Sequence, residues 1–286
     1  MNNSSLWQDA LRRLIQNRAA MIGGITILIL IILAIFAPLI APYSYSYQNL
    51  DIGASPPSVE HLLGTDVLGR DLLSRLLYGA RISLLVGFVA TGVALVIGVS
   101  WGIIAGYFGG KVDSVMMRIV DVLYGLPFII FIILLMVIFG RNIWLLFAAI
   151  GAVEWLTMAR IVRAQVIGLK NQEFVQAAQV MGVSNFSMFR RHILPNILGP
   201  IAVYATLTIP QVMLLEAFLS FLGLGIQPPM SSWGTLIRYG VESMEEHYWL
   251  LIYPGLTFTI TLFALNFFGD GCLLYTSPSP RDSTLS

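Results

Sequence analysis

Long uncharged apolar runs constrain this chain more than any other feature of its sequence. A helix that crosses the hydrocarbon core of a membrane needs about 20 mostly apolar residues. Six such runs occur, at residues 21–41, 82–107, 115–139, 143–158, 197–224 and 250–268. Only 11% of the side chains are charged, against about 25% in soluble domains. The sequence therefore predicts an all-α membrane protein with six transmembrane helices, and it largely excludes a soluble globular enzyme.

Two of the runs carry further information. The first exceeds the apolar stretch of roughly 7–15 residues in a signal peptide and lacks a good cleavage context, so we expect a retained helix. Pro127 lies inside the third run and predicts a kink there. With six crossings, both termini lie on the same side of the membrane.

The positions of Lys and Arg predict that this side is the cytoplasm, because basic residues concentrate on the inner side. An inner N-terminus places these basic residues inside: Arg12, Arg13, Arg18, Lys111, Arg118, Arg160, Arg163, Lys170, Arg190, Arg191 and Arg281. It leaves Arg70, Arg75, Arg81, Arg141 and Arg238 outside, mixed with seven acidic residues: Asp51, Glu60, Asp66, Asp71, Glu242, Glu245 and Glu246. The net charge of +1 provides no basic field for nucleic acid. A single cysteine, Cys272, excludes an intrachain disulfide and a Cys-rich metal site.

Two outer segments are long enough to have a role. Between residues 42 and 81, leucines at helical spacing from Leu68 to Leu77 predict an amphipathic helix that begins near Thr65 and Asp66 and lies beside the outer interface. It either rests on lipid and neighbouring helices or acts as a gate or docking element. The outer loop at 226–248 is a surface loop or a docking site, and its aromatic residues suit an interfacial belt: Trp233, Tyr239, Tyr248 and Trp249.

The inner loop at residues 170–195 has the clearest local signals. Residues 170–181 predict a short helix that Gly182 ends in the left-handed conformation. Ser184 can cap a second short helix over 185–192, and Pro195 then opens the fifth span. We expect a compact helix-turn-helix, which from these signals alone is a plain connector or a docking site.

Certain side chains of this loop would suit a protein partner. Ala177 and Ala178 are small enough to let another backbone approach closely. Larger apolar anchors of the kind that dominate interfaces are also present: Phe174, Val175, Phe186 and Phe189.

Two carboxylates fall within the predicted spans. An ionisable group in a membrane is costly and is by default a functional candidate that faces a polar interior. Glu216 and, with less support, Glu154 are therefore possible pathway-lining residues. The alternative is a carboxylate held by hydrogen bonds against a partner helix or, for Glu154, one near the interface.

The loop at 170–195 also resembles a known motif. Gln176-Ala177-Ala178, three residues, Gly182, nine residues and then His192-Ile193-Leu194-Pro195 is similar to the EAA loop of binding-protein-dependent ABC importer permeases. Gln176 stands where that family usually has Glu, and His192 where it often has Ile. The loss of charge at position 176 puts a salt bridge to an ATPase in doubt, but not docking by shape.

Further motifs resemble C-type permeases of the peptide/nickel subfamily, most closely the oligopeptide branch. They are His61-Leu62-Leu63-Gly64-Thr65-Asp66, Leu68-Gly69-Arg70-Asp71, Tyr78-Gly79-Ala80-Arg81-Ile82-Ser83-Leu84, Phe221-Leu222-Gly223-Leu224-Gly225 and Asn266-Phe267-Phe268-Gly269-Asp270-Gly271. The likeness covers most of the chain and ends at Gly271. Residues 272–286 are atypical. We interpret them as the product of a frameshift, a vector read-through or an assembly error; the alternative is a genuine disordered tail. Cys272 carries no functional weight.

The resemblance implies a type I ABC importer permease fold in the bacterial cytoplasmic (inner) membrane. Residues 1–81 would form the N-terminal region, and residues 82–271 the five-helix core. The chain would move oligopeptides or dipeptides by alternating access. It would work with a second homologous permease, two cytoplasmic ATPase subunits, an extracytoplasmic peptide-binding protein and membrane lipid.

The resemblance also assigns roles within the chain. No cofactor is expected here, since no phosphate-binding loop motif occurs, and ATP and Mg would be bound by the ATPase partners. The residues that would couple the chain to an ATPase are Glu173, Phe174, Gln176, Ala177, Ala178, Gly182, Ser184, His192 and Pro195. We call residues 170–195 the coupling loop.

Two other classes of function are weighed. An ion-gradient-driven carrier or channel would use the intramembrane carboxylates, but the chain has no evident inverted repeat. An intramembrane enzyme would need a nucleophile with a base, or a metal cluster. The three histidines lie outside the spans without such neighbours: His61, His192 and His247.

Overall fold

A computed structural model describes residues 14–140 and 142–273 of the chain. The described residues form helices connected by loops, with a single isolated β-bridge between Thr65 and Asp71. The helices are α1 (Arg18–Ile35), α2 (Ala37–Ile40), α3 (Leu72–Phe108), α4 (Gly110–Tyr124), α5 (Phe128–Phe139), α6 (Ile143–Lys170), α7 (Glu173–Val180), α8 (Asn185–Met188), α9 (Leu194–Phe221), α10 (Trp233–Glu242) and α11 (Trp249–Leu273). A five-residue π-helical segment, Phe189–Ile193, joins α8 to α9. The protein is an all-α membrane protein, as the sequence predicts.

Five helices are long and apolar enough to cross a membrane, and α4 with α5 supplies a sixth, broken candidate. The relation of α3 to α6 bears on this pair. Gly98 of α3 meets Met158, and Gly106 meets Val166, so residue numbers rise together along the contact and the two helices run parallel. The chain must therefore return across the bundle between them. Because only α4 and α5 lie in that interval, they form one broken span and the chain crosses six times.

The break in this third span is sharper than the predicted kink. α4 and α5 are bent by 78° where Gly125, Leu126 and Pro127 interrupt the helix. Proline lacks the N–H that would continue the helix, and it also disfavours helical geometry at the preceding residue. The kink at Pro127 is confirmed, but as a full interruption.

The predicted amphipathic helix beside the outer interface is wrong. Helix α3 begins at Leu72, where Asp71 caps it by accepting a hydrogen bond from the Ser74 backbone N–H (2.8 Å), and it continues without interruption into the second span. Residues before it form a turn in which the Asp66 carboxylate pairs with Arg70 (2.7 Å) and Arg75. These pairs let the first turns of α3 be buried in the protein instead of lying on a surface.

Close helix contact in the bundle depends on a row of glycines. Gly98, Gly102 and Gly106 face α6 at four-residue intervals, and a Cβ at Gly102 would lie 2.5 Å from the Ala159 carbonyl oxygen. Small residues at this spacing let helix backbones approach closely in membranes. This row fixes α3 against α6, the helix that leads into the coupling loop.

The opposite end of the bundle is closed by α10. Trp233 is fully buried, and its indole Nε1–H donates to the Leu76 carbonyl oxygen at 3.1 Å. Trp249 is buried as well, with its Nε1–H 3.3 Å from the Thr65 carbonyl oxygen, whereas Tyr248 is exposed. The expectation of an interfacial aromatic belt is thus wrong for the two tryptophans, because each has a hydrogen-bond acceptor inside the protein.

Candidate coupling and pathway sites

The coupling loop forms the predicted helix-turn-helix, except that its second helix is α-helical only over Asn185–Met188 and continues through the π-helical segment into α9. Helix α7 ends before Gly182, whose φ of +75° lies in the left-handed region that glycine adopts without strain. The Ser184 hydroxyl oxygen accepts from the Ser187 backbone N–H at 3.4 Å and caps α8. Pro195 then occupies the first turn of α9, directly after the π-helical segment Phe189–Ile193. The result is a helix-turn-helix connected directly to two spanning helices.

One face of the coupling loop is packed against the protein itself. Val175 and Ala178 are buried, in a cluster with Val162 and Val166 of α6 and with Ile197 of α9. The expectation that Val175 and Ala178 contact a partner is therefore not met in this conformation. Their apolar side chains instead attach the loop to the spans.

The opposite face is exposed in the described chain. Phe174 is 44% exposed and Phe186 74% exposed, as expected of partner-facing anchors, and Ala177 is exposed between them. Val180 (89%) and Met181 (75%) are also exposed, although sequence reasoning did not select them. Their position just before the Gly182 turn was the signal that could have identified them. This surface has the apolar content of a protein-docking face.

The remaining predicted residues lie at the edges of that surface. Glu173 is exposed in the first turn of α7, where its negative charge interacts favourably with the positive end of the helix dipole. Gln176 is exposed, with its Nε2–H donating to the Asn171 carbonyl oxygen at 3.4 Å. His192 is half-buried, and its carbonyl oxygen accepts from the Asn196 side chain at 2.6 Å. Gln176 and His192, the two positions that depart from the motif, thus each take part in a hydrogen bond between a side chain and the backbone of the loop region.

Two polar contacts connect the coupling loop to the end of α3. The Tyr107 hydroxyl donates to Asn185 Oδ1 at 2.8 Å, and Lys170 Nζ donates to the Tyr107 carbonyl oxygen at 2.7 Å. The lysine satisfies a carbonyl at the C-terminus of α3, an end that helices leave without an internal partner. Tyr107 therefore joins α3, α6 and α8 at one point, which sequence reasoning did not identify.

Two ion pairs hold the first half of the broken span against α6. Asp113 pairs with Arg163 through contacts of 2.5 and 2.6 Å, and Asp121 pairs with Arg160 at 2.8 Å. The Arg160 guanidinium also lies 4.3 Å from the ring centroid of Tyr124. The acidic residues of α4 thus partly neutralise two of the basic residues predicted to surround the coupling loop. These ion pairs also attach α4 to α6.

Glu216 does not line an open surface in this structure. Its side chain is fully buried, and Oε1 accepts from the Ser220 hydroxyl at 2.6 Å and from the Ser232 hydroxyl at 2.7 Å. Oε2 has no hydrogen-bond partner among the described residues. Glu216 therefore connects α9 to the residue that caps α10, which corresponds to the alternative weighed for it.

Glu154 occupies a different setting. It is half-buried on α6, and no hydrogen bond or ion pair joins it to another described residue. Thr157, one turn further along the same helix, is exposed, and its hydroxyl lies 3.5 Å from that of Tyr124. Glu154 and Thr157 thus give α6 a partly accessible polar face within a span.

The described residues include no group of three or more metal-ligating side chains. The polar features of the two ends of the bundle are instead hydrogen bonds and ion pairs that hold helices together. The arrangement combines an exposed apolar loop surface, rigid attachment of that loop to the spans, and a polar strip on α6.

Comparisons with known proteins give a consistent result. The sequence profile described as the binding-protein-dependent transport system inner membrane component matches residues 98–281. The profile described as the N-terminal TM domain of oligopeptide transport permease C matches residues 5–57. The first match extends past Gly271, where the motif likeness was expected to end. The interpretation of the tail stays a prediction, and residues 274–286 lie outside the described part of the chain.

Individual relatives are similar along nearly the whole chain. The chain is 50% identical over 280 residues to the oligopeptide transport system permease protein OppC of Escherichia coli strain K12, covering 97% of this chain and 92% of that protein. It is 48% identical over 284 residues to the OppC of Haemophilus influenzae, with 99% and 91% covered. It is 46% identical over 268 residues to the dipeptide transport system permease protein DppC of Bacillus subtilis, with 93% and 84% covered.

Proposed function

This chain belongs to the family of binding-protein-dependent transport system inner membrane components, and we propose that as an ABC importer permease it moves oligopeptides or dipeptides across the cytoplasmic membrane. Membership makes it a multi-pass transport subunit of a larger transporter. The peptide cargo is supported by the oligopeptide and dipeptide permeases to which it is similar. The same membership weighs against an ion-driven carrier and an intramembrane enzyme.

The proposed partners are a second homologous permease, an extracytoplasmic peptide-binding protein and two ATPase subunits that bind ATP and Mg. The coupling loop and both termini would face the cytoplasm. In support, Gly271 of α11 approaches Leu14 and Ala20 near the start of the described chain, so these ends lie together. The basic residues of the inner loops favour the cytoplasmic side for them.

The observation that carries the coupling proposal is the two-faced coupling loop. Its exposed apolar face would enter a cleft on one ATPase, while its buried face is packed on α6 and α9. A loop that is fixed to the spans by packing, and to α3 through Tyr107, moves together with them. Closure of the ATPase pair would therefore tilt these helices and open the pathway alternately to each side.

ATP shifts this equilibrium only as far as it favours one arrangement of the ATPase pair over the other. The loop must then bind the ATPases in both arrangements without slipping. Large exposed anchors such as Phe186 serve that purpose, since aromatic residues in pockets contribute most of the binding energy of interfaces. A salt bridge from position 176 is not required.

For the pathway, we propose Glu154 and not Glu216. Glu154 is partly accessible beside Thr157 in the middle of a transmembrane helix, and it has no partner within the described residues. A carboxylate in such a position is favourable when it faces water or a polar cargo. Glu216 already accepts two hydroxyl hydrogen bonds inside the subunit.

Cysteine crosslinking in the assembled transporter tests the docking surface. The native Cys272 is first replaced by Ser, and single cysteines are then placed at Ala177, Phe186 and Ala178. We expect Ala177→Cys and Phe186→Cys to crosslink to an ATPase subunit. The buried Ala178→Cys is the matched control and should not react.

Failure of both exposed positions to crosslink, in a complex that still hydrolyses ATP, would refute docking by this face. A second measurement tests the energy source. Peptide uptake into vesicles should require the ATPase subunits and ATP, and it should persist when the membrane potential is collapsed.

A further inference from the structure

Two cavities meet at Arg81, at the end of the bundle opposite the coupling loop. Arg81 and Tyr107 lie on the same helix, 26 residues apart, so about 39 Å separates the two ends at 1.5 Å per residue. One cavity, of about 310 Å³, lies between α1 and α3. The other, of about 390 Å³, lies above it beside the loop before α10. Arg81 and Leu85 line both cavities, so the two cavities adjoin at these side chains, and we call them together the groove.

Two residues that line the upper cavity, Arg81 and Ser231, carry polar groups without a partner among the described residues. Arg81 makes no hydrogen bond or ion pair with any described residue, and its guanidinium carbon lies 5.9 Å from the ring centroid of Tyr78. Tyr78 in turn packs against Tyr45, with ring centroids 4.6 Å apart. Ser231 is 2% exposed, and its buried hydroxyl has no hydrogen-bond partner in the described chain.

Arg81 differs in this respect from the other arginines described at this end of the protein. Arg70 and Arg75 pair with Asp66, and Arg238 pairs with Glu242 at 2.9 Å. A guanidinium that no described carboxylate pairs with is suited to an anion with several oxygen acceptors. Phosphate has this chemistry, and arginine recognises it with paired N–H donors.

The lower cavity is apolar. Its walls are Ile31, Ala34 and Ile35 of α1, with Leu84, Leu85 and Phe88 of α3. Ile35, Leu85 and Phe88 are each more than two-fifths exposed, so the groove opens along the outside of the described chain. Below Arg81, the next charged residue on the chain is Lys111, so the groove descends from a single cation into a wholly uncharged span.

We propose that this groove binds one anionic phospholipid of the surrounding membrane. The phosphate contacts Arg81, and the tyrosine pair borders the headgroup. One acyl chain lies between α1 and α3 over Leu85. A peptide fits less well, because its backbone N–H and C=O groups would be left without partners in the apolar half of the groove.

The proposal does not depend on the cargo or on the ATPase contact. It concerns how the peripheral helix α1 is held, since a lipid between α1 and α3 fills space that would otherwise separate them. The position of Arg81 along the span also favours a lipid. Arg81 immediately precedes the uncharged run of the second span, and cations at such a position lie at the level of the lipid headgroups.

The test measures lipid binding to the intact, purified transporter by native mass spectrometry. The probes are dioleoyl phosphatidylglycerol and the zwitterionic dioleoyl phosphatidylcholine, each titrated onto delipidated complex. We expect preferential binding of phosphatidylglycerol, and we expect Arg81→Gln to weaken it about tenfold, which corresponds to about 1.4 kcal/mol. Arg238→Gln is the control, since that arginine already has a carboxylate partner, and it should bind like the unaltered protein.

A second pair of variants tests the acyl half without changing any charge. Leu85→Trp fills the wall shared by both cavities and should abolish the tight site. Val96→Trp, three turns further along the same exposed face of α3, should not. Equal binding of both lipids, unchanged binding by Arg81→Gln and Leu85→Trp, or displacement of the lipid by cargo peptide would each overturn the proposal.

Discussion

Replacement of Gly102 by alanine tests whether backbone contact between α3 and α6 holds the bundle together. The added Cβ would lie 2.5 Å from the Ala159 carbonyl oxygen, 2.8 Å from Val162 Cβ and 2.9 Å from the Arg163 nitrogen. None of these atoms is the end of a flexible side chain. The clash is therefore relieved only by moving one helix away from the other.

The magnitude follows from two opposing contributions. Overpacking of this kind costs about 1–3 kcal/mol, and the two backbone atoms and the Cβ met here cannot rotate away, which favours the upper part of that range. Alanine is also the better helix former, by about 1 kcal/mol. We therefore expect Gly102→Ala to lower the free energy of unfolding by about 2 kcal/mol.

Gly92 provides a control for the higher helix propensity of alanine, because Gly92→Ala gains the same propensity as Gly102→Ala. It lies on the same helix, and a Cβ built there meets nothing within 4 Å. Gly92→Ala should therefore be neutral or stabilising, by up to about 1 kcal/mol. The difference between the two alanine variants isolates the packing cost, which we place at about 3 kcal/mol, the upper end of the overpacking range.

Thermal unfolding of the purified transporter, followed by tryptophan fluorescence at one scan rate, measures this difference. For a domain of this size class, 1 kcal/mol corresponds to about 2–4 °C in Tm. We expect Gly102→Ala to unfold about 4–8 °C below the unaltered protein on that scale. A Tm for Gly102→Ala equal to or above that of Gly92→Ala would refute close backbone packing. A Val162→Ala change in the Gly102→Ala background should give no rescue, because the contact at Val162 is to its Cβ.

Three further predictions concern polar contacts. Tyr107→Phe removes the hydrogen bond to Asn185 and should reduce the amount of peptide transported per ATP hydrolysed. The free energy of unfolding should fall by less than about 1.5 kcal/mol. An unchanged ratio of transport to hydrolysis would contradict the proposed link. Asp113→Asn should destabilise by about 1 kcal/mol or less, with an effect that shrinks in high salt, since its pair with Arg163 is partly exposed; equal effects at low and high salt would argue against an ionic contact. Glu216→Leu should lower stability by about 1–3 kcal/mol by leaving buried hydroxyls without an acceptor, whereas Glu216→Gln keeps an acceptor oxygen and should cost less; equal Tm values for the two variants would show that the hydroxyl contacts do not matter.

Local signals in the sequence were sufficient for the coupling loop. Gly182 supplies the left-handed turn, Ser184 the cap and Pro195 the entry to α9. Each acts within a few residues of itself, so its effect does not depend on the rest of the fold. Which side of the loop faces outward is a different matter, because the burial of Ala178 depends on α6 and α9.

Long-range partners explain the predictions that failed. Trp233 is of a residue type common at membrane interfaces, which led to the wrong prediction. Its indole N–H donates a hydrogen bond to the Leu76 carbonyl oxygen, 157 positions away in the sequence. Glu216 has one partner a single turn along its own helix, Ser220, and another across a loop at Ser232. Only the first lay within reach of sequence reasoning. The row at Gly98, Gly102 and Gly106 is visible as a small-residue spacing, but its contact with α6 is not.

The sequence by itself determined that the chain lies in a membrane, that it holds six apolar runs long enough to span it, and that the loop after the fourth run is a helix-turn-helix. Apolar runs and helix caps act locally, since water and lipid respond to each segment separately. The tertiary structure decided that α3 runs parallel to α6 and that α3 begins ten residues before the predicted second span. It also decided that Glu216 is enclosed, while Arg81 pairs with no carboxylate in the part of the chain that the structure describes. These outcomes depend on which distant groups meet when helices pack, and no segment carries that information alone.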